Sequence, residues 1–149
     1  MSNGNSRTRI VYDLSTKAKE VFAVVESCFP HARVYVEYPY THLLKMYYRR
    51  KGVPVDQQDR YLLSQTRLHA DFVVLDYNVV IEVDGEQHFV PVQFGGISAD
   101  EAQSRLEDQR YRDKIKNLIC MEMEYKLVRI RYDQEINPEV LFELIRERG

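Results

Sequence analysis

Apolar residues at helical and alternating spacings divide the chain into short elements. Ala18, Val21, Phe22, Val25, Cys28 and Phe29 recur at helical spacing and predict an amphipathic helix from about Ser15 to Phe29. Asp13 or Ser15 can cap it, and Pro30 ends it. Val34 and Val36 alternate with Arg33, Tyr35 and Glu37, which predicts a strand from Arg33 to Tyr38. From Pro39 to Thr66 the pattern is irregular, and this stretch reads as an insertion, part strand or ribbon and part loop. Two apolar, β-branched runs around Tyr77-Asn78 then read as a hairpin, because Asn tolerates the positive φ of tight turns. After His88 a loop passes Pro91, Gly95 and Gly96. A helix follows from about Glu101 to Ile119, capped by Ser98 or Asp100, and then a strand over Lys126 to Tyr132. The last helix has Asn137 as its cap and Pro138 at its first position, and it carries Val140, Leu141, Leu144 and Ile145. The order is α-β-(insertion)-β-β-α-β-α. The helix before the last strand is long enough for a right-handed crossover. The expected fold class is therefore α/β, a mixed central sheet flanked by helices.

With 149 residues, 44% of them hydrophobic, the chain suits one compact domain. That domain is expected over residues 13–149, with the insertion at about 40–66 and a flexible polar tail over residues 1–12. No apolar run approaches the ~20 residues of a membrane span, and no secretory leader is evident, so no membrane partner and a cytoplasmic, reducing setting are expected. Cys28 and Cys120 read as free buried thiols, and two cysteines with four scattered histidines do not suggest a structural zinc site. The net charge of −2 does not advertise a nucleic-acid binder, but positive charge gathers at Lys45–Lys51 and Arg110–Lys116.

The hairpin carries the chemistry. If Tyr77 and Asn78 alone form its loop, Asp76 faces Val79, Leu75 faces Val80 and Asp71 faces Asp84. Side chains alternate along a strand, so Asp71, Glu82 and Asp84 project from one face. Opposed Cβ atoms lie about 5 Å apart and diagonal ones about 7–8 Å. One acid at a strand end needs no more explanation than water, but three together repel, and a divalent cation would relieve the repulsion. Oxygen ligands suit Mg²⁺ or Mn²⁺, which assist phosphodiester cleavage. His88 could serve as general base, since histidine titrates near neutrality, or as an ordinary structural histidine. Asp84 could be a further ligand, could orient His88, or could simply shape the turn before Gly85. Asp113 shares a helix side with Ala102, Leu106 and Asn117 rather than with Ile115 and Ile119, which turns it inward. Glu26 sits at the edge of the first helix's apolar stripe.

The element order and these acids resemble the PD-(D/E)XK, or restriction-endonuclease-like, nuclease superfamily. Its core is α-β-β-β-α-β, with an Asp at the start of the second strand and an acid-x-Lys signature on the third. Asp71 and Glu82 match the metal ligands of that pattern, while Asp84 stands where the family has lysine. The phrase Ile81-Glu-Val-Asp-Gly-Glu-Gln-His88-Phe, followed by Arg112-Asp113-Lys114, is closer to the branch of very short patch repair endonucleases and EDxHD phage homing endonucleases. That resemblance implies a catalytic set of Glu26, Asp71, Glu82, Asp84, His88 and Asp113, with Asp71, Glu82 and Asp84 at the metal. It implies a Mg²⁺- or Mn²⁺-dependent endonuclease hydrolysing DNA. Lys45, Tyr48, Arg49, Arg50 and Lys51 are then the candidates to hold phosphates and stack on nucleotides. Symmetric cutting of both strands would call for a homodimer. The rival readings are a catalytically inactive nucleic-acid-binding or assembly module of the same fold, which the missing lysine motivates, and an RNA-directed nuclease.

Overall fold

A computed structural model describes residues 14–91 and 96–148. The anticipated 1–12 tail and part of the loop after Pro91 lie outside these residues. Helix α1 spans Thr16–Cys28, and the Ser15 hydroxyl accepts from the Ala18 N–H at 3.1 Å to cap it. Strand β1 is Val34–Pro39. The insertion corrects the expectation of ribbon and loop. It forms helix α2 over Tyr40–Lys51, a 3₁₀ turn over Val55–Gln57 and the one-turn helix α3 over Arg60–Leu63. Tyr40, Leu43, Leu44 and Tyr48 of α2 are buried at i, i+3, i+4 and i+8, so the helical stripe was present in the sequence but short and interrupted by tyrosines. Strands β2, His69–Val74, and β3, Val79–Asp84, make the hairpin. Helix α4, Ala99–Met123, is capped by the Ser98 hydroxyl and leads to strand β4, Lys126–Arg131. Helix α5, Pro138–Arg148, begins at Asn137, whose side chain accepts from the Val140 N–H at 2.9 Å.

The four strands lie in the order β1-β2-β3-β4, antiparallel except for the parallel pair β3–β4. The fold is α/β, a mixed sheet with helices on both faces. One apolar core joins Val73 and Val80 to Tyr40, Leu43, Leu44, Ile115 and Ile119, so α2, α3 and α4 cover that face. The other joins Phe72, Val74, Ile81, Val128 and Ile130 to Val21, Val25 and Leu141, so α1 and α5 cover the opposite face. Cys28 and Cys120 are free thiols. None of the described helices is long and apolar enough to cross a membrane.

The hairpin turn is two residues longer than expected. Phe72 pairs with Ile81, Val73 with Val80 and Val74 with Val79, leaving Leu75 to Asn78 as the loop. Leu75–Tyr77 form a 3₁₀ turn and Asn78 takes the left-handed conformation, φ 56°. Asp76, instead of facing Val79, accepts from the Arg33 backbone N–H at 2.6 Å and the Arg33 guanidinium at 2.7 Å, which ties the turn to β1. Asp71 consequently stands one step beyond the Phe72–Ile81 pair, level with Glu82 and not with Asp84. A slip of two residues preserves the face on which each side chain points, whereas a slip of one would have reversed it. Asp71, Glu82 and Asp84 therefore still share a face, the one covered by α2 and α4.

Candidate active site

Two adjoining polar groups form at the carboxyl end of β3. The first surrounds Glu82, which is only 2% exposed. Tyr40, the first residue of α2, donates its hydroxyl to Glu82 Oε2 at 2.6 Å, and Lys116 of α4 donates to Glu82 Oε1 at 3.0 Å. Burial pushes the Glu82 carboxyl up to about 7 against the pull of the Lys116 ammonium, with the nearby Asp71 charge adding to the rise. The same bond and burial hold the Tyr40 hydroxyl well above its usual range, burial being the larger cause. Asp71 Oδ2 accepts from the Val83 N–H at 2.7 Å, across the hairpin. Burial raises the Asp71 carboxyl, partly offset by that N–H and by Lys116, while Glu37 and Asp84 push it up further. Glu37 lies level with Asp71 on β1, between the paired residues Val36 and Tyr38, and has φ 54°, which is costly for a residue with a side chain.

The second group is built on Asp84, 4% exposed. A 3₁₀ turn over Glu86–His88 folds the chain back, and His88 Nδ1 comes to 2.9 Å from Asp113 Oδ2 and 3.5 Å from Asp84 Oδ1. Since an ionised carboxylate only accepts, Nδ1 carries the proton and Nε2 is left as the acceptor of the neutral ring. Arg129 projects from β4 on the same face. It donates to Asp84 at 3.2 and 3.3 Å, to the Asp113 carbonyl at 3.0 Å and to Asn117 Oδ1 at 3.0 Å. Gln109 donates to Asp113 Oδ1 at 3.1 Å. Although burial would raise the Asp113 carboxyl, the His88 bond and charge, Arg129 and Gln109 hold it below its ordinary range. The inward orientation expected for Asp113 is what α4 delivers.

The expected metal set of Asp71, Glu82 and Asp84 is thus divided between the two groups. Among the described residues the one trio of acids and histidine with donor atoms within 4.8 Å of one another is Asp84, His88 and Asp113. Donors around one divalent ion at bonds of about 2.1 Å fall within that spread, so the trio fits a metal, and two carboxylates with an imidazole suit Mn²⁺ at least as well as Mg²⁺.

Glu26 is not brought to this end of the sheet. It lies on α1, over the opposite face, between Phe22, whose ring meets Phe72, and Phe29, whose ring meets Tyr77 at the hairpin turn. Tyr48 is likewise corrected as a nucleotide contact. It is 2% exposed, donates to Glu122 at 2.7 Å and accepts from the Asp59 N–H at 2.9 Å, so it is a core residue. Lys45, Arg49, Arg50 and Lys51 are exposed, and the last three end α2, where cations favour the helix dipole. Along the helix, at 1.5 Å per residue, Arg49, Arg50 and Lys51 sit roughly 14–16 Å from Tyr40 and Lys45 about 8 Å. Sequence reasoning missed Tyr40, Lys116 and the place of Glu37, whereas Arg129, which shares one face of its strand with Arg131, was already placed to pair with acids of the sheet, as it does with Asp84. Only the inward phase of α4 could have pointed to Lys116, which lies three residues after Asp113. No protein-family model, no curated protein and no solved structure matches this chain with significance.

Proposed function

We propose that the chain is a metal-dependent endonuclease hydrolysing DNA phosphodiester bonds, on a restriction-endonuclease-like core nearest in its residue pattern to the EDxHD branch. The observation that carries this reading is the convergence, at the carboxyl end of β3, of the Lys116–Glu82 pair with the Asp84–His88–Asp113 group. Open α/β sheets bind ligands at such strand ends. The acid-x-Lys pattern asks for an ammonium two residues after Glu82, where Asp84 stands, and α4 supplies one from Lys116 instead.

Hydrolysis needs a water that loses its proton and a phosphate whose growing charge is offset. His88, held through Nδ1 by Asp113, offers Nε2 to take the proton. Lys116 and Arg129 supply positive charge on the phosphate side, and Asp71 and Glu82 orient the water. Asp84 and Asp113, beside His88, would hold Mn²⁺ or Mg²⁺, which would supply charge neutralisation and a more acidic bound water. The attacking oxygen bonds to phosphorus as the ester oxygen leaves and takes up a proton.

A second reading has one observation in its favour. Arg129 already neutralises Asp84, and Lys116 already neutralises Glu82, as in a nucleic-acid-binding module that needs neither metal nor turnover. A plasmid-nicking assay separates the two. Wild type is expected to cut with Mg²⁺ or Mn²⁺ and not with EDTA. Asp71→Ala, Glu82→Ala and Lys116→Ala are each expected to lose roughly a hundredfold or more, with unchanged circular dichroism. Failure to cut supercoiled, linear, single-stranded or branched DNA, or RNA, with any metal sinks the nuclease reading and favours the module.

A further inference from the structure

A cavity of about 230 Å³ opens beside the His88 group, between the Glu86–His88 turn and the first half of α4. Buried Ala102 and Leu106 and the exposed Val90 supply its apolar lining. Arg105 and Arg112 stand among its polar lining, where Asp108 is the one carboxylate. Arg105 forms no ion pair among the described residues. Gln109 links the cavity wall to the proposed proton acceptor. It accepts from Arg112 at 3.0 Å and donates to Asp113 Oδ1, while Oδ2 of the same carboxylate bonds His88 Nδ1.

We propose that this cavity holds a single nucleobase of the substrate, adjoining the phosphate that is cut. The inference rests on the phosphodiesterase reading and deepens it. An apolar floor matches the face of a planar heterocycle, and guanidinium and amide groups match its hydrogen-bonding edge. The volume is below that of pockets for drug-sized ligands and suits one base rather than a longer segment. Two guanidiniums against one carboxylate complement the adjoining phosphates. A base stacked in a duplex cannot enter such a pocket, so the preferred substrate is single-stranded or locally strand-separated nucleic acid.

The test is an NMR titration of the full chain in EDTA with dAMP, dGMP, dCMP and dTMP, with deoxyribose 5-phosphate and inorganic phosphate as controls. At least one nucleotide is expected to shift the Leu106 methyls and the Gln87 and Gln109 side-chain amides saturably, while the controls leave them in place. Arg105→Ala is expected to weaken that binding roughly tenfold, the value of one charged contact. Ala102→Leu, which fills the cavity, is expected to abolish it; if that variant does not fold, Arg105→Glu replaces it. No shift with any nucleotide, equal shifts with phosphate, or shifts indifferent to these variants overturn the pocket. Because no turnover is involved, nucleotide binding by a protein that never cuts sinks the nuclease and spares the pocket. Cutting by a protein that binds no nucleotide here does the reverse.

Discussion

Glu82 shows how a single buried acid couples function to stability. Its carboxyl titrates at about 7 in the fold and at 4.5 in the open chain, so between those values the folded protein holds a proton that the unfolded chain has lost. Stability therefore falls as pH rises through this window, by up to about 3 kcal/mol, and Asp71, shifted the same way, adds to the slope. Glu82→Gln removes the titration while keeping an oxygen for the Tyr40 hydroxyl. Relative to wild type, the variant is expected to gain stability from pH 5 to pH 8 in urea titrations, even as nicking is lost. A constant offset across that range would show that Glu82 is not held protonated. Glu82 was readable as a ligand candidate from its place in the strand. Its partners Tyr40 and Lys116 were not, because they reach it from 42 and 34 residues away.

At the scale of elements, the hairpin turn decides which acids are neighbours. Asn78 holds a left-handed conformation that costs a side-chain-bearing residue about 1 kcal/mol, less for Asn, whose amide bonds locally. Asn78→Ala is expected to destabilise by about 1 kcal/mol and Asn78→Gly by no more than a few tenths, measured as denaturation midpoints at constant m-value. Equal losses would mean that the turn does not depend on the backbone conformation of this residue. The preference of Asn for positive φ was legible, and so was the turn's existence. Its length was not, since Asp76 could face Val79 across the hairpin or be drawn away by Arg33, and that choice depends on where β1 lies.

For the molecule as a whole, metal binding and stability are linked through the Asp84–His88–Asp113 group. Mn²⁺ at a hundred times its Kd adds about 2.7 kcal/mol, which raises Tm by roughly 5–10 °C for a chain of this size. Asp84→Asn and Asp113→Asn are expected to abolish the gain; no gain in wild type with any divalent ion would remove the metal from the site. Periodicity alone determined most helices, all four strands, their succession along the chain and the α/β class, because apolar residues must face a core whichever neighbour supplies it. It also placed Asp71, Glu82 and Asp84 on one face, since strand alternation has a period of two and survives a two-residue slip. Only the tertiary structure decided that these acids separate into two groups, that Glu26 lies on the far face and that Tyr48 is core. It alone brought Lys116 and Arg129 to the site. Which charges neutralise one another depends on where whole helices pack, and that is settled by the burial of two apolar faces at once.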